Sequence, residues 1–373
     1  MFLSGINNLS HAIETRITQE MCKHYEYFKK METAFEAAAK SPNILRSGYY
    51  NFCGRLAKVS CVGNDLAKSY ERILSHLQVD ESVSIRPKLN IQLWDQSEAQ
   101  TGCPVAILDE NSYQFRTVTA SPDSRLVFDQ DPETTLAFDR KEQKILISVA
   151  SAGRLNHFDR AKPFNRLLSL WLRDRRIQVI HSAMLAKNGK GILFTGKGGS
   201  GKSSSILASI LAGFDFLGDD YIGLEESATG SFVGHSLYNS ILLEAGHLKS
   251  FGDIRADTYN GNPVRGEKVI IYTGETFTGQ LARSAPISAL VLPKIVNSAR
   301  PQVFPATKME ALLSLAPSSL KLQISPKAWE LDQQAKLVER VPCFWLELGH
   351  SMDAIPECVD NLLQRIKTSR SRH

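Results

Sequence analysis

The chain has 373 residues, 43% of them hydrophobic and 22% charged, which is the make-up of an ordinary globular protein and excludes a wholly disordered one. Its 44 Lys and Arg against 39 Asp and Glu leave a net charge of +5, too small and too dispersed an excess to mark a nucleic-acid-binding surface. No run approaches the ~18–20 consecutive apolar residues that span a bilayer, and the opening MFLSGINNLSHAIETRITQE lacks a basic stretch followed by an apolar one, so neither a membrane span nor a secretory signal is expected.

In chain order, residues 11–40 read as a helix, with Ile13, Ile17, Met21, Tyr25, Phe28, Met31 and Phe35 recurring at three- and four-residue steps. Ser41-Pro42 stops it, because the residue before a proline is pushed out of the helical region. Leu66 to Leu77 forms a second helical stretch, ended by Asp80-Glu81-Ser82. Residues 1–80 are thus expected as a helical segment with a packing or partner-binding role. The texture then changes. SVSIRPKLNIQLW, RLVFDQ, TLAFDR and KILISVA alternate apolar and polar residues, as half-buried strands do, with turns at Ser121-Pro122-Asp123 and Asp131-Pro132. A β-rich region over 81–160 follows from this. From Phe164 onward helix, strand, glycine loop, helix and strand succeed one another, the alternation of an α/β layer with a largely parallel sheet. Residues 307–320 and 354–368 read as helices flanking a strand at 343–349.

The six cysteines, Cys22, Cys53, Cys61, Cys103, Cys343 and Cys358, include no Cys-x-x-Cys pair and no zinc spacing. Free thiols in a reducing compartment, and so a cytoplasmic protein, are expected. The terminal Arg365, Lys367, Arg370 and Arg372 read as a short solvated tail.

The sharpest signal is GKGGSGKS, Gly196 to Ser203, which matches G-x-x-x-x-G-K-[ST]. Four fixed positions recur by chance about once in a hundred chains of this length. Its setting adds weight, since Ile192-Leu193-Phe194 precedes it as a strand and SSSILASILAGF follows as an amphipathic helix. In such a loop Gly196, Lys197, Gly198, Gly199, Ser200 and Gly201 converge backbone N–H groups on phosphate oxygens, and the helix start at Lys202, Ser203 and Ser204 adds a partial positive charge. Lys202 would reach the β- and γ-phosphates of a nucleotide, and the Ser203 hydroxyl would ligate Mg²⁺.

A second signal is Asp219-Asp220, after the short apolar segment Phe214 to Gly218. Two adjacent carboxylates at a strand's end can divide the work, one holding a metal and one accepting a proton. Asp220 stands seventeen residues beyond Ser203, where one helix and one strand would return the chain to the phosphates. His181, in the apparent strand Val179 to Ala183, is a third candidate.

Over roughly residues 178–295 these features resemble the HPr kinase family, whose fold is related to phosphoenolpyruvate carboxykinase. A histidine of that family precedes the loop lysine by the interval from His181 to Lys202, and its paired aspartates follow at the distance of Asp219-Asp220. The resemblance implies an α/β fold with a P-loop-containing, carboxykinase-like core over 161–373, a β-rich leader and an α-helical N-terminal segment. It implies Asp220 as the base that takes a proton from an attacking hydroxyl, Asp219 in the metal shell, and His181 orienting or polarising phosphates. Leu242-Leu243-Glu244-Ala245-Gly246 resembles a family segment whose glutamate binds the metal, shifted by one residue and lacking its arginine, and the resemblance implies Glu244 as a further metal ligand. Arg283 is the nearest match to an active-site arginine that stabilises transferred charge, with Arg265 or Lys268 as alternatives. The N-terminal region is unlike that of HPr kinases proper, and the layout looks more like divergent kinases that act on a peptide serine or on small hydroxylated molecules. ATP or another nucleoside triphosphate and Mg²⁺ are the implied cofactors, and a homo-oligomer is implied as well.

Rival classes fare less well. Asn156-His157-Phe158-Asp159 superficially suggests a eukaryotic kinase catalytic loop, but no Asp-Phe-Gly follows and the glycine loop is of another kind. A carboxykinase would need further metal-binding Lys and His positions. A nucleotide-dependent binding switch would not need the aspartate pair, which favours a kinase transferring the γ-phosphoryl group to an alcohol.

Overall fold

The computed structural model describes residues 2–40, 44–80, 86–104, 116–257 and 267–366. Ser41-Pro42, Glu81-Ser82, Arg265 and the tail residues Lys367, Arg370 and Arg372 lie outside the described residues. Two compact units are formed. Met1–Tyr50, Arg55–Ser69 and Val79–Leu155 make the first, and Asn51–Gly54, Tyr70–Gln78 and Asn156–His373 the second. Both are mixed α/β, and no helix among the described residues is long and apolar enough to cross a membrane.

Up to Val149 the elements are α1 (Phe2–Ala38), β1 (Leu45–Phe52), β2 (Arg55–Val62), α2 (Asn64–Leu74), β3 (Gln78–Val79), β4 (Leu89–Asp95), α3 (Gln96–Ala99), β5 (Thr117–Ala120), β6 (Leu126–Gln130), β7 (Thr134–Asp139) and β8 (Lys144–Val149). The eight strands form one sheet in the order β3-β1-β2-β4-β8-β7-β6-β5. Residues 1–80 are therefore not a purely helical segment. Cys53 and Gly54 both take positive φ, 52° and 77°, as the two-residue turn of a right-twisted hairpin requires, and they join β1 to β2. Helix α1 buries Tyr27, Phe28, Met31, Phe35 and Ala38, one face at helical spacing, against Trp94, Phe128 and Leu146 of the sheet. Each large side chain so buried contributes roughly 1.5–3 kcal/mol.

The later elements are α4 (His157–Ala161), α5 (Asn165–Arg173), β9 (Ile177–Lys187), β10 (Lys190–Thr195), α6 (Lys202–Leu211), β11 (Asp215–Gly218), β12 (Tyr221–Glu226), β13 (Phe232–Ser236), β14 (Ser240–Glu244), α7 (Ala245–Leu248), β15 (Lys268–Tyr272), α8 (Thr273–Thr276), β16 (Ser284–Ile295), β17 (Gln302–Pro305), α9 (Lys308–Lys321), α10 (Ala328–Arg340), β18 (Cys343–Leu348) and α11 (Ile355–Arg365). The main sheet runs β10-β9-β12-β13-β16-β18-β17, and β10 also pairs with β16, so that five strands close on themselves. Strands β14 and β15 pair separately.

This sheet is mixed, not largely parallel. Among the described residues only the β10–β16 and β16–β18 ladders of this sheet are parallel, while β9 is antiparallel to β10, β11 and β12. The cause is local. Asn188 and Gly189 take φ of 52° and 73° and fold β9 straight back onto β10, the hairpin that an Asn-Gly pair favours. Alternate residues of β9 and β10 then face opposite ways. Ala183, Leu185, Ile192 and Phe194 pack with Ile206, Leu207 and Ile210 of α6 and with α11, whereas Met184, Ala186 and Leu193 pack with Leu315 of α9 and Leu337 of α10. Helix α6 is held on one face of the sheet by this alternation, and its N-terminus sits at the end of β10.

Candidate active site

The loop Gly196–Gly201 leaves β10 after Thr195 and enters α6. Gly201 takes φ +98°, and a Cβ there would stand 2.2 Å from Leu348 Cδ1, so the turn into the helix needs a glycine. The Lys202 side chain is folded beneath the loop. It is 5% exposed, and its ammonium donates to the carbonyls of Gly196 (2.6 Å) and Lys197 (3.2 Å). Ser200 Oγ is buried and has no hydrogen-bond partner among the described residues.

Across from the helix start lies the carboxylate pair. Ser203 Oγ donates to Asp219, at 3.1 and 3.0 Å from its two oxygens, and the Leu242 backbone N–H reaches the same carboxylate at 3.3 Å. Asp219 is fully buried and makes no ion pair among the described residues. Asp220 takes a left-handed φ of 68° in the turn from β11 into β12, a conformation aspartate tolerates better than most residues. Tyr221 is the register partner of His181, which brings His181 Nε2 to 3.4 Å from Asp220 Oδ1. The His181 backbone N–H donates to Ser319 Oγ, and its Nδ1 is buried without a partner among the described residues.

The surroundings of the two carboxylates push them in opposite directions. Burial, then repulsion from Asp220, raises Asp219 to about 6. Burial also pushes Asp220 up, but the hydrogen bond from His181 and the charge of Lys162 outweigh it and bring that carboxylate down to about 2. Burial lowers the ammonium groups of Lys202 and Lys162, against the two aspartates, which hold them up.

A cavity of about 450 Å³ is lined by Phe158, His181, Gly198, Gly199, Gly201, Lys202, Ser203, Ser204, Asp220, Tyr221, Glu244, Lys268 and Lys321, among others, while Asp219 is buried beside it through its contact with Ser203. Loop, aspartates and histidine are thus brought together. Glu244 reaches the cavity from the exposed end of β14, opposite Lys268 in the register of β15, but it does not join the aspartates. Among the described residues no three His, Cys, Asp or Glu converge as a metal cluster. Arg283 is not at the cavity. It immediately precedes β16, eight residues before Val291, the register partner of Phe194, and its guanidinium donates to the carbonyls of His76 and Gln78.

No family model and no curated protein matches the chain. Among solved structures, the HPr(Ser) kinase/phosphatase from Coxiella burnetii is similar over 51% of this chain and 99% of its own, at 15% identity and a TM-score of 0.30. A likeness of this degree assigns neither family nor activity.

The donor set itself suits Mg²⁺, a hard cation that takes oxygen ligands and needs only one or two from the protein, the rest coming from water and substrate phosphates. Ser203 Oγ and the buried Asp219 carboxylate, in hydrogen-bond contact with each other, are such donors. Two lysines that bear on the site carried no sequence signal. Lys321, the last residue of α9, lines the cavity from a position far from the motif in sequence. Lys162, whose charge acts on both aspartates, is a lone lysine before a proline, and only the tertiary structure buries it.

Proposed function

We propose that the chain is a phosphotransferase that moves the γ-phosphoryl group of a Mg²⁺-nucleotide, ATP in the first instance, to an alcohol, with a serine hydroxyl of a peptide or protein as acceptor. The contact between Ser203 Oγ and Asp219 supports this reading, because it ties the start of the helix after the glycine loop to the carboxylate pair, of which Asp220 lines the same cavity as the loop.

In the proposed step the acceptor hydroxyl gives its proton to Asp220 as its oxygen bonds to the γ-phosphorus. The bond from that phosphorus to the β,γ-bridging oxygen breaks, and the nucleoside diphosphate leaves. Asp220 is suited to this because the His181 hydrogen bond and Lys162 keep it ionised at neutral pH. His181 fixes its orientation. Lys202 and the loop N–H groups offset the negative charge of the phosphates, with the N-terminus of α6 behind them. Lys268 faces the cavity and takes the charge-neutralising part that the sequence resemblance would give to an arginine. Held by Ser203 and Asp219, Mg²⁺ would supply Lewis-acid polarisation of the phosphate oxygens.

Titration calorimetry with Mg-ATP tests the donor half. Lys202→Ala should weaken binding by about tenfold or more, since a buried charge-assisted contact is lost, whereas Asp220→Asn should bind as the parent does. A parent protein that bound no nucleoside triphosphate would overturn the reading.

A further inference from the structure

We infer that Lys162 is a positioning residue, whose buried ammonium fastens strand β14 to the end of α4 and so sets two walls of the cavity against the carboxylate pair. The inference rests on the phosphotransferase reading and deepens it.

Lys162 is 1% exposed. Among the described residues no carboxylate pairs with it. Its Nζ donates instead to the Ser240 carbonyl oxygen at 2.6 Å and to Ser240 Oγ at 3.2 Å, beside the ring of Tyr238 at 5.7 Å. The Ser240 hydroxyl in turn donates to the carbonyl of Ala161 at 2.6 Å, and Tyr238 Oη donates to that of Pro163 at 2.9 Å. Residues 161–163 and 238–240 are thus stitched together on both sides of the lysine.

Each stitched segment leads into the site. Helix α4 ends at Ala161 and carries Phe158, one wall of the cavity, while β14 begins at Ser240 and carries Leu242 and Glu244 to another. The Leu242 N–H is the one that reaches Asp219. A shift of β14 would therefore move the donor that orients the buried carboxylate, and with it the wall facing the acceptor. The loop and Lys202 are carried by β10 and α6, outside this stitching.

A buried lysine without an ion pair is costly, and an apolar residue of the same length would fill the space without that cost. Its charge also acts across the interior on Asp219 and Asp220, where screening is weak. Both observations argue that the ammonium, and not the volume, is what the position requires.

The test compares Lys162→Met, which keeps the volume, with Lys162→Arg, which keeps the charge. Lys162→Met should lower kcat by about tenfold or more while leaving the nucleotide KM within about twofold, and it should speed hydrogen exchange at the Leu242 amide. Lys162→Arg should restore part of both. If Lys162→Met does not fold, Ser240→Ala should show the same pattern at smaller amplitude. Unchanged kcat in Lys162→Met, or kcat and KM failing together with no recovery in Lys162→Arg, would overturn the inference. If the parent protein transfers no phosphoryl group, the phosphotransferase reading has failed on its own. The Leu242 exchange rates of the two variants then decide the role of Lys162, and equal rates would overturn it.

Discussion

Asp220 lies in a left-handed turn that presents its carboxylate to His181, 3.4 Å away, because Tyr221 and His181 are register partners on adjacent strands. The histidine's hydrogen bond is the strongest of the influences that hold this carboxylate down against the effect of burial. Removing it in His181→Ala should raise the Asp220 pKa. A base works only when ionised, so the acid limb of the kcat/KM profile should move to higher pH, by roughly one pH unit. A uniform loss of rate with an unmoved profile would show that His181 acts in some other way.

Asp219 has the opposite electrostatics. Burial and repulsion from Asp220 raise it to about 6, from about 3.9 in an unfolded chain. A raised folded pKa favours folding fully below the unfolded value, and that contribution is lost as pH rises through about 6. At pH 7 the ionised carboxylate is therefore a burden, on the order of 1–3 kcal/mol. Without metal, Asp219→Asn should be more stable to urea than the parent at pH 7, and the difference should shrink at pH 5. Saturating Mg-nucleotide should stabilise the parent more than the variant.

Gly201 is constrained twice, by its φ of +98° and by Leu348 Cδ1, 2.2 Å from where a Cβ would lie. Gly201→Ala should cost about 1–3 kcal/mol in denaturant unfolding and weaken nucleotide binding by displacing the start of α6. An alanine variant with parental stability and affinity would mean the loop relaxes without consequence.

The glycine loop and the carboxylate pair were legible because their chemistry is local. GKGGSGKS carries its own turn, and Asp219-Asp220 follows it after one helix and one strand. The antiparallel core was legible too, in Lys187-Asn188-Gly189-Lys190, but the alternation of helices and strands around it pointed to parallel pairing. Cys53-Gly54 hid a hairpin in the same way, inside a stretch that otherwise reads as helical. Lys162 and Arg283 could not have been placed. A lysine's burial and an arginine's distance from a loop depend on which strands become neighbours, and no short stretch of sequence encodes that.

Arg283 and Lys268 make that difference measurable. The Arg283 guanidinium is occupied by the carbonyls of His76 and Gln78, while Lys268 faces the cavity. Arg283→Ala should leave kcat within about twofold, and Lys268→Ala should lower it by about tenfold or more, as loss of a charge-stabilising group does. The reverse order would return the arginine to the site.

The role proposed for Asp220 is that of the base in phosphoryl transfer to a hydroxyl. The deciding experiment incubates the protein with γ-labelled ATP, Mg²⁺ and separate pools of serine-containing peptides, free hydroxy amino acids and sugars, with Asp220→Asn alongside. Label should appear in one acceptor pool, the peptides first, and fall by about a hundredfold or more in the variant, as loss of a general base requires. Label transferred equally by parent and Asp220→Asn, or nucleotide bound by the parent with no label moved to any pool, would contradict it.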